Sequence, residues 1–174
     1  NAPEGPFPRI RVRDRADVVC GEADAPAALP YTDVKESNWF YGAVAYVTEN
    51  GLMSGATETT FAPRAEVSWE EFAETAAAAG LTVSEAGTGT LTREELVEVL
   101  YLTAVANGMD AVNMAENLLP YDDASEITES RVQMMNWAVG QELIGGYADG
   151  LLRPQGAVTR GELAAVLERF LENI

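Results

Sequence analysis

The chain of 174 residues contains no histidine and a single cysteine, Cys20. Histidine is the commonest general base and the commonest metal ligand, so its absence excludes every Ser-His or Cys-His nucleophile arrangement. One cysteine cannot form a disulfide within the chain. Carboxylate pairs remain available for catalysis, but chance pairing is expected among 28 acidic residues. We therefore predict a protein that is not an enzyme and that uses no metal or other cofactor.

Positive charge is also scarce. Eleven basic residues face 28 acidic ones, and the net charge is −17. Only seven basic residues lie between positions 31 and 174, and this part carries a charge of −16. A polyanion would be repelled, which excludes nucleic acid as a partner. No run of about 18 apolar residues occurs, so we expect no membrane insertion.

Residues 1–30 differ in composition from the rest of the chain. They contain five of the eight prolines, and arginine alternates with Ile10, Val12 and Asp14 along positions 9–15. A period of two residues predicts a short strand. We interpret the segment as an N-terminal extension that packs across the following residues. The alternative is the end of a preceding domain, or an edge strand that pairs with another chain. The absence of an initiator methionine indicates a processed form or a fragment.

The remainder of the chain contains an internal repeat. Residues 59–72 return as residues 150–163 at an offset of 91, and the same offset relates Gly55 to Gly146. A third copy of the end of this pattern lies at residues 91–96. Units of this kind bury their apolar faces against their neighbours. We predict three repeats, at about residues 31–80, 81–120 (truncated) and 121–174.

Each repeat copy contains the signature of a helix start. A Ser or Thr is followed three residues later by Glu, which is the capping box that satisfies the first backbone N–H groups of a helix. Apolar residues then recur at helical spacing, and Gly or Asn-Gly follows the helices of the first and middle repeats. The sequence predicts a mainly α fold with short extended segments in the turns. The capping boxes are Ser68/Glu71, Thr92/Glu95 and Thr159/Glu162.

Arg93 and Arg160 follow the capping threonines, at the first position of their helices. A cation is disfavoured there by the helix dipole, so capping does not explain these residues. A guanidinium beside free backbone N–H groups forms an anion site. The alternative is that each arginine pairs with a nearby Asp or Glu. Trp39, at helical spacing with Ala43 and Val47, is interpreted most simply as a core residue.

The combined motifs resemble the S-layer homology (SLH) repeat. The resemblance covers residues 31–174 and is specific because several motifs keep their relative spacing. The motifs in the first repeat are Tyr31-Thr32-Asp33-Val34, Trp39-Phe40-Tyr41, Ala43-Val44-Ala45-Tyr46, Glu49-Asn50-Gly51-Leu52-Met53-Ser54-Gly55 and Thr60-Phe61-Ala62-Pro63. Those in the last repeat are Tyr121-Asp122-Asp123-Ala124, Gly146-Tyr147-Ala148-Asp149-Gly150 and Val158-Thr159-Arg160-Gly161-Glu162-Leu163.

The resemblance implies a pseudo-threefold helical module on the bacterial cell surface. Such modules anchor exported proteins to secondary cell-wall polysaccharides, often pyruvylated ones, through grooves between the repeats. Arg93 and Arg160 would then bind anionic sugar substituents. The grooves would be shaped by Asp33, Trp39, Gly55, Asp123 and Gly146.

The chain departs from the SLH pattern in three places. Trp69 replaces the motif arginine in the first repeat, Ser130 replaces the expected tryptophan in the third, and the middle repeat has lost most of its first half. At most two of three grooves therefore keep a motif arginine. Our leading hypothesis is a wall-anchoring module. The alternative is a degenerate module without glycan binding that serves as a scaffold for protein interaction or for assembly with other surface-layer proteins.

Overall fold

The computed structural model describes residues 29–109, 118 and 120–173. The strand predicted within residues 9–15 lies outside the described residues. So do residues 110–117, where the sequence predicts a further helical turn or two.

Five α-helices account for the regular structure of the described residues. They are α1 (Tyr41–Glu49), α2 (Trp69–Ala78), α3 (Arg93–Ala106), α4 (Val132–Gly140) and α5 (Arg160–Glu172). Two 3-10 turns, Ala124–Glu126 and Glu129–Arg131, precede α4. Extended backbone in the described part forms only isolated bridges. The predicted mainly α fold is confirmed.

The helix starts follow the capping signals. Thr92 and Thr159 each form the complete reciprocal box with the Glu three residues later. Ser68 accepts a hydrogen bond from the backbone N–H of Glu71 at 3.2 Å. The Glu71 carboxylate, however, pairs with Arg160. The capping box predicted at α2 is therefore only half formed, because an ion pair to another repeat takes its glutamate.

Three backbone hydrogen bonds join the repeats in a closed ring. The N–H of Val67 donates to the carbonyl of Val158, that of Val158 to Leu91, and that of Leu91 to Val67, each at 2.9 Å. Each of these residues immediately precedes a helix N-cap, and their side chains are buried. Helices α2, α3 and α5 therefore begin around one pseudo-threefold axis, as the resemblance to the S-layer homology repeat implies.

The remaining helices lie outside this centre. Helix α1 of the first repeat packs on α5 of the third, and α4 of the third repeat packs on α3 of the middle one. Each outer helix thus covers the inner helix of a different repeat. Residues 81–92 of the middle repeat, all of them described, contain no helix. The truncation seen in the sequence is therefore the loss of an outer helix.

Two residues predicted to be buried are exposed. Trp39 is 68% exposed because α1 begins only at Tyr41, so Trp39 is not on the buried face of that helix. The interpretation of Trp39 as a core residue is wrong. The helical spacing of apolar residues 132, 135 and 138 predicts that all three face inward. Val132 is instead 41% exposed at the first position of α4, whereas Met135 and Ala138 are buried as this spacing predicts.

Candidate ligand-binding grooves between the repeats

Arg93 reaches from the start of α3 into a loop of the third repeat. Its Nε donates to the carbonyl of Leu152 at 2.9 Å and its Nη2 to that of Gly145 at 2.7 Å. Nη1 lies 3.4 Å from the Tyr147 hydroxyl and 3.6 Å from Oε1 of Glu162. Arg93 is buried. Its side chain therefore joins the middle repeat to the third and orders the loop that it enters.

Arg160 makes the equivalent contacts with the first repeat. Its Nε donates to the carbonyl of Phe61 at 2.7 Å, its Nη2 donates to the carbonyl of Ser54, and its Nη1 pairs with Glu71. Burial lowers the pKa of Arg160 from its ordinary value. Both motif arginines thus lie beside a carboxylate, as one of the two sequence interpretations expects. The role of Arg93 and Arg160 in anion binding stays a prediction.

Trp69 occupies the third equivalent position. Its indole Nε1 donates to Oε2 of Glu95 at 3.2 Å. The ring lies directly on Gly87, where an added Cβ would stand 2.2 Å from Nε1. The tryptophan therefore takes the place of a motif arginine and fills the space beside the middle-repeat loop.

Asp33 and Asp123 hold the loops that receive the arginines. Asp123 accepts hydrogen bonds from the backbone N–H groups of Leu152, at 2.8 Å, and Arg153, at 2.6 Å. Asp33 makes the equivalent pair of bonds in the first repeat, at 2.9 and 2.7 Å. Arg153 and Ala62 have φ angles of 53° and 57°, in the left-handed region of backbone conformation that residues other than glycine rarely adopt. The two aspartates thus stabilise strained turns.

Gly55 and Gly146 are required by close approach. A Cβ at Gly55 would lie 2.5 Å from Cε1 of Tyr31, and one at Gly146 would lie 2.3 Å from Cε1 of Tyr121. No side chain fits these gaps without displacing an aromatic ring. Each tyrosine lies at the start of its repeat, and its ring packs against the loop that contains the glycine.

One groove brings three of the predicted site residues together. A cavity of about 270 Å³ is lined by Trp39 of the first repeat, Arg93 of the middle repeat and Gly146 of the third. We call it the Arg93 groove. All three repeats therefore contribute to it. Its further polar and aromatic lining residues are Tyr147, Glu162 and Arg169.

A second cavity, of about 500 Å³, contains Arg160 and Gly55, and we call it the Arg160 groove. Glu71 and Glu74 also line it. The pseudo-threefold arrangement assigns the counterpart of Trp39 to the middle repeat, in the part that the chain has lost. This groove therefore keeps the motif arginine without the tryptophan.

A third cavity, of about 140 Å³, is lined by Trp69, Gly87 and Glu95. We call it the Trp69 groove. Here Trp69 replaces the arginine, and Ser130 stands where the pattern expects the tryptophan. The three departures from the repeat pattern therefore affect the Arg160 groove and the Trp69 groove. The Arg93 groove keeps both the motif arginine and the motif tryptophan.

Tyr147 and Glu162 form the polar floor of the Arg93 groove. The Tyr147 hydroxyl donates to Oε1 of Glu162 at 2.6 Å. The Tyr147 ring lies 5.0 Å from the guanidinium of Arg93 and 4.5 Å from that of Arg153. Burial and the bond to Glu162 raise the pKa of Tyr147. Burial opposes ionisation of Glu162, but hydrogen bonds from Tyr147 and Thr159 outweigh it and lower its pKa. The floor therefore holds a neutral phenol between charged groups.

The sequence prediction of the site missed Tyr147, Glu162 and Arg169. Tyr147 stands in a motif already noted, but the motif alone does not show that its ring meets two arginines. Glu162 was explained fully by helix capping. Arg169 had one signal, because the offset of 91 relates it to Ala78 and therefore marks a difference between the repeats.

Within the described ranges, no group of three or more Cys, Asp or Glu side chains is arranged to hold a metal ion. None of the helices in those ranges is both long and apolar enough to cross a membrane.

Comparison with known proteins agrees with this architecture. The family model of the S-layer homology domain matches residues 30–73 and 120–164, about half of the chain. The chain is 27% identical over 158 residues to the surface-layer 125 kDa protein of Lysinibacillus sphaericus, covering 88% of this chain. It is 26% identical over 146 residues, or 84% of its length, to a cellulosome-anchoring protein of Acetivibrio thermocellus. Cell surface glycoprotein 1 of the same organism is 27% identical over 153 residues, or 85% of this chain.

The fold and its inter-repeat grooves define a helical repeat module, and the family match together with the surface proteins that the chain resembles indicates a location on the cell surface. The chain belongs to the S-layer homology family. It spans 11%, 27% and 6% of the lengths of the three relatives, so it corresponds to a part of each.

Proposed function

We propose that the chain is a non-catalytic module that binds secondary cell-wall polysaccharide. We further propose that residues 31–174 act as one unit of three repeats. One observation carries the proposal: the Arg93 groove places the motif arginine and an exposed tryptophan on a single cavity. The names of the relatives, among them a cellulosome-anchoring protein and a surface-layer protein, support an anchoring role.

Trp39 supplies the groove with an exposed aromatic face. Trp39 is 68% exposed and lines the groove beside Arg93, so its ring is accessible to a ligand that enters there. The flat indole matches the apolar face of a sugar ring, while its N–H remains available to a hydroxyl group. We therefore assign Trp39 the stacking contact with the glycan.

Arg93 supplies positive charge at the floor. A guanidinium has five N–H donors, and three of those on Arg93 point at protein acceptors. Two donors make no hydrogen bond to the protein, although Nη1 lies 3.6 Å from Oε1 of Glu162. These two donors would bind a carboxylate such as that of a pyruvate ketal, which a guanidinium recognises well. We also propose that Asp123 and Gly146 maintain the loop shape on which this contact depends, and that Asp33 and Gly55 do so in the Arg160 groove.

The Arg160 groove is proposed as the weaker site. It has no counterpart of Trp39, and Glu71 and Glu74 place negative charge on its lining. An acidic sugar would meet repulsion there in addition to the missing aromatic contact. In the Trp69 groove the indole already occupies the arginine position, so we assign it no glycan.

The test is retention on purified bacterial cell walls that carry pyruvylated secondary polysaccharide. Trp39→Ala removes an exposed side chain, so we expect retention to fall about tenfold or more, as for a central contact residue, with little change in Tm. Val132→Ala, another exposed apolar residue, is the matched control and should bind like the parent. Walls stripped of pyruvyl groups should retain the parent less well. Equal retention of the parent and Trp39→Ala would contradict the proposal and favour the scaffold alternative.

A further inference from the structure

We propose that Arg169 contacts the acidic substituent of the ligand directly and makes the Arg93 groove selective for anionic glycans. The inference rests on the proposed function, because it concerns the same groove. It assigns to Arg169 a task that the repeat motif does not contain.

Arg169 lies where two cavities meet. It is exposed in the last turn of α5, and its Nη1 donates to the carbonyl of Leu143 at 3.2 Å. It lines the Arg93 groove and also a neighbouring cavity of about 550 Å³ that includes Tyr121 and Gln141. A ligand entering the Arg93 groove along this side passes the guanidinium of Arg169.

Arg169 also differs from the other groove arginines in its charge environment. Arg93, Arg160 and Arg131, which lines the Trp69 groove, each lie within 4.0 Å of a carboxylate oxygen. In the part of the chain that the structure describes, Arg169 has no such ion pair, and a single carbonyl accepts from it. Glu168 interacts with Arg169 electrostatically, but only beyond ion-pair distance. The positive charge of Arg169 is therefore compensated less than theirs, and four of its five N–H donors remain for a ligand.

Two carboxylates also line these cavities. Glu162 faces the Arg93 groove, but its oxygens accept from Tyr147 and Thr159. Glu142 lines the neighbouring cavity. Residues 31–174 are strongly acidic, so an anionic sugar needs an accessible cation close to its binding position. Arg169 meets this need better than Arg93 because its side chain is more exposed.

The position is particular to this groove. The repeat offset of 91 relates Arg169 to Ala78, which lines the Arg160 groove. The two grooves therefore share a motif arginine but differ in this second cation. Arg93 holds the loop in place, and Arg169 adds the exposed charge that separates an acidic from a neutral sugar.

The test compares Arg169→Gln with Arg64→Gln on pyruvylated walls and on walls stripped of pyruvyl groups. Arg64 is exposed and lies outside the described grooves. Its variant makes the same change in net charge as Arg169→Gln but removes no groove residue. We expect Arg169→Gln to weaken binding to pyruvylated walls by about five- to tenfold, as for an exposed charge-assisted hydrogen bond. The loss should be smaller on stripped walls. Arg64→Gln should match the parent, and Arg169→Lys should recover part of the affinity.

Two outcomes would overturn the inference: parental binding by Arg169→Gln, or an equal loss on both kinds of wall. Trp39→Ala, measured in parallel, separates this result from the proposed function. If Trp39→Ala abolishes binding while Arg169→Gln has no effect, only the assignment of Arg169 fails. If neither variant changes retention, the proposed function fails as well.

Discussion

Glu94 connects the middle repeat to the start of α4 through a carboxylate that is only 1% exposed. Its oxygens accept from the backbone N–H of Thr128 at 3.0 Å, from the Thr128 hydroxyl at 2.6 Å and from Nη1 of Arg131 at 2.7 Å. Arg131 also pairs with Glu98 at 2.7 Å. Glu94 and Glu98 thus share one arginine but differ in burial, since the Glu98 side chain is 30% exposed. They form a matched pair for substitution.

Replacing Glu94 with Gln removes the negative charge but keeps one carbonyl acceptor. One or two of the three hydrogen bonds are lost, and a buried hydrogen bond to a charged group contributes about 1.5–3 kcal/mol. Because Arg131 keeps Glu98 as a partner, we expect Glu94→Gln to lower the free energy of unfolding by about 2 kcal/mol. Glu98→Gln should cost less than about 1 kcal/mol, because water screens an exposed pair.

Urea denaturation of the parent and the two variants measures both values. For a chain of this size, about 2 kcal/mol corresponds to a decrease in Tm of about 4–8 °C. The reasoning would be refuted if Glu94→Gln and Glu98→Gln cost the same, or if Glu94→Gln cost less than about 0.5 kcal/mol, the range of ordinary surface substitutions. Either result would mean that burial of the carboxylate does not determine its contribution.

Three further predictions follow from the loops, the carboxylates and the net charge. Asp123→Ala should lower the free energy of unfolding, measured by urea denaturation, by about 2–4 kcal/mol, because it leaves two backbone N–H groups unpaired. Asp33 is only half-buried, so Asp33→Ala should lower it less. Equal decreases for the two variants would contradict the role of burial. Hydrogen bonds lower the pKa values of Glu94 and Glu162 below their ordinary 4.5 despite burial, so their contribution is complete above that value and is lost as the pH falls through the folded pKa. Glu94→Gln should therefore show a shallower loss of Tm than the parent on acidification, and parallel curves would count against the linkage. Wall retention of the parent should stay constant or rise slightly from low to moderate salt, because salt first screens the long-range repulsion between the acidic module and an acidic glycan. A steep loss of retention from the lowest salt upward would contradict this prediction.

Local signals predicted the helices well. The threonines at 92 and 159 fix the starts of α3 and α5, and Asn50-Gly51 and Asn107-Gly108 mark the ends of α1 and α3. These features depend on residues three or four positions apart. A single sequence shows such relations directly.

The site was predicted less completely because its contacts cross the repeats. Arg160 meets the carbonyl of Phe61, 99 positions away, and Arg93 meets Leu152, 59 positions away. The exposure of Trp39 depends on the exact first residue of α1, which periodicity alone does not define. The distribution of the motif departures among grooves could be recognised only after the cyclic order of the repeats was known.

Because the hydrogen bonds through Val67, Leu91 and Val158 form a closed ring, every repeat has two neighbours and none is a terminal repeat. An open array of repeats can grow, shrink or unfold from its termini. Here each repeat both donates to one neighbour and accepts from the other, so removal of any one breaks two of the three bonds. Closure also requires residues 91 positions apart to meet, which favours slow, all-or-none folding. The middle repeat lacks an outer helix but keeps Leu91 and the helix that follows it, so its contribution to the ring is complete.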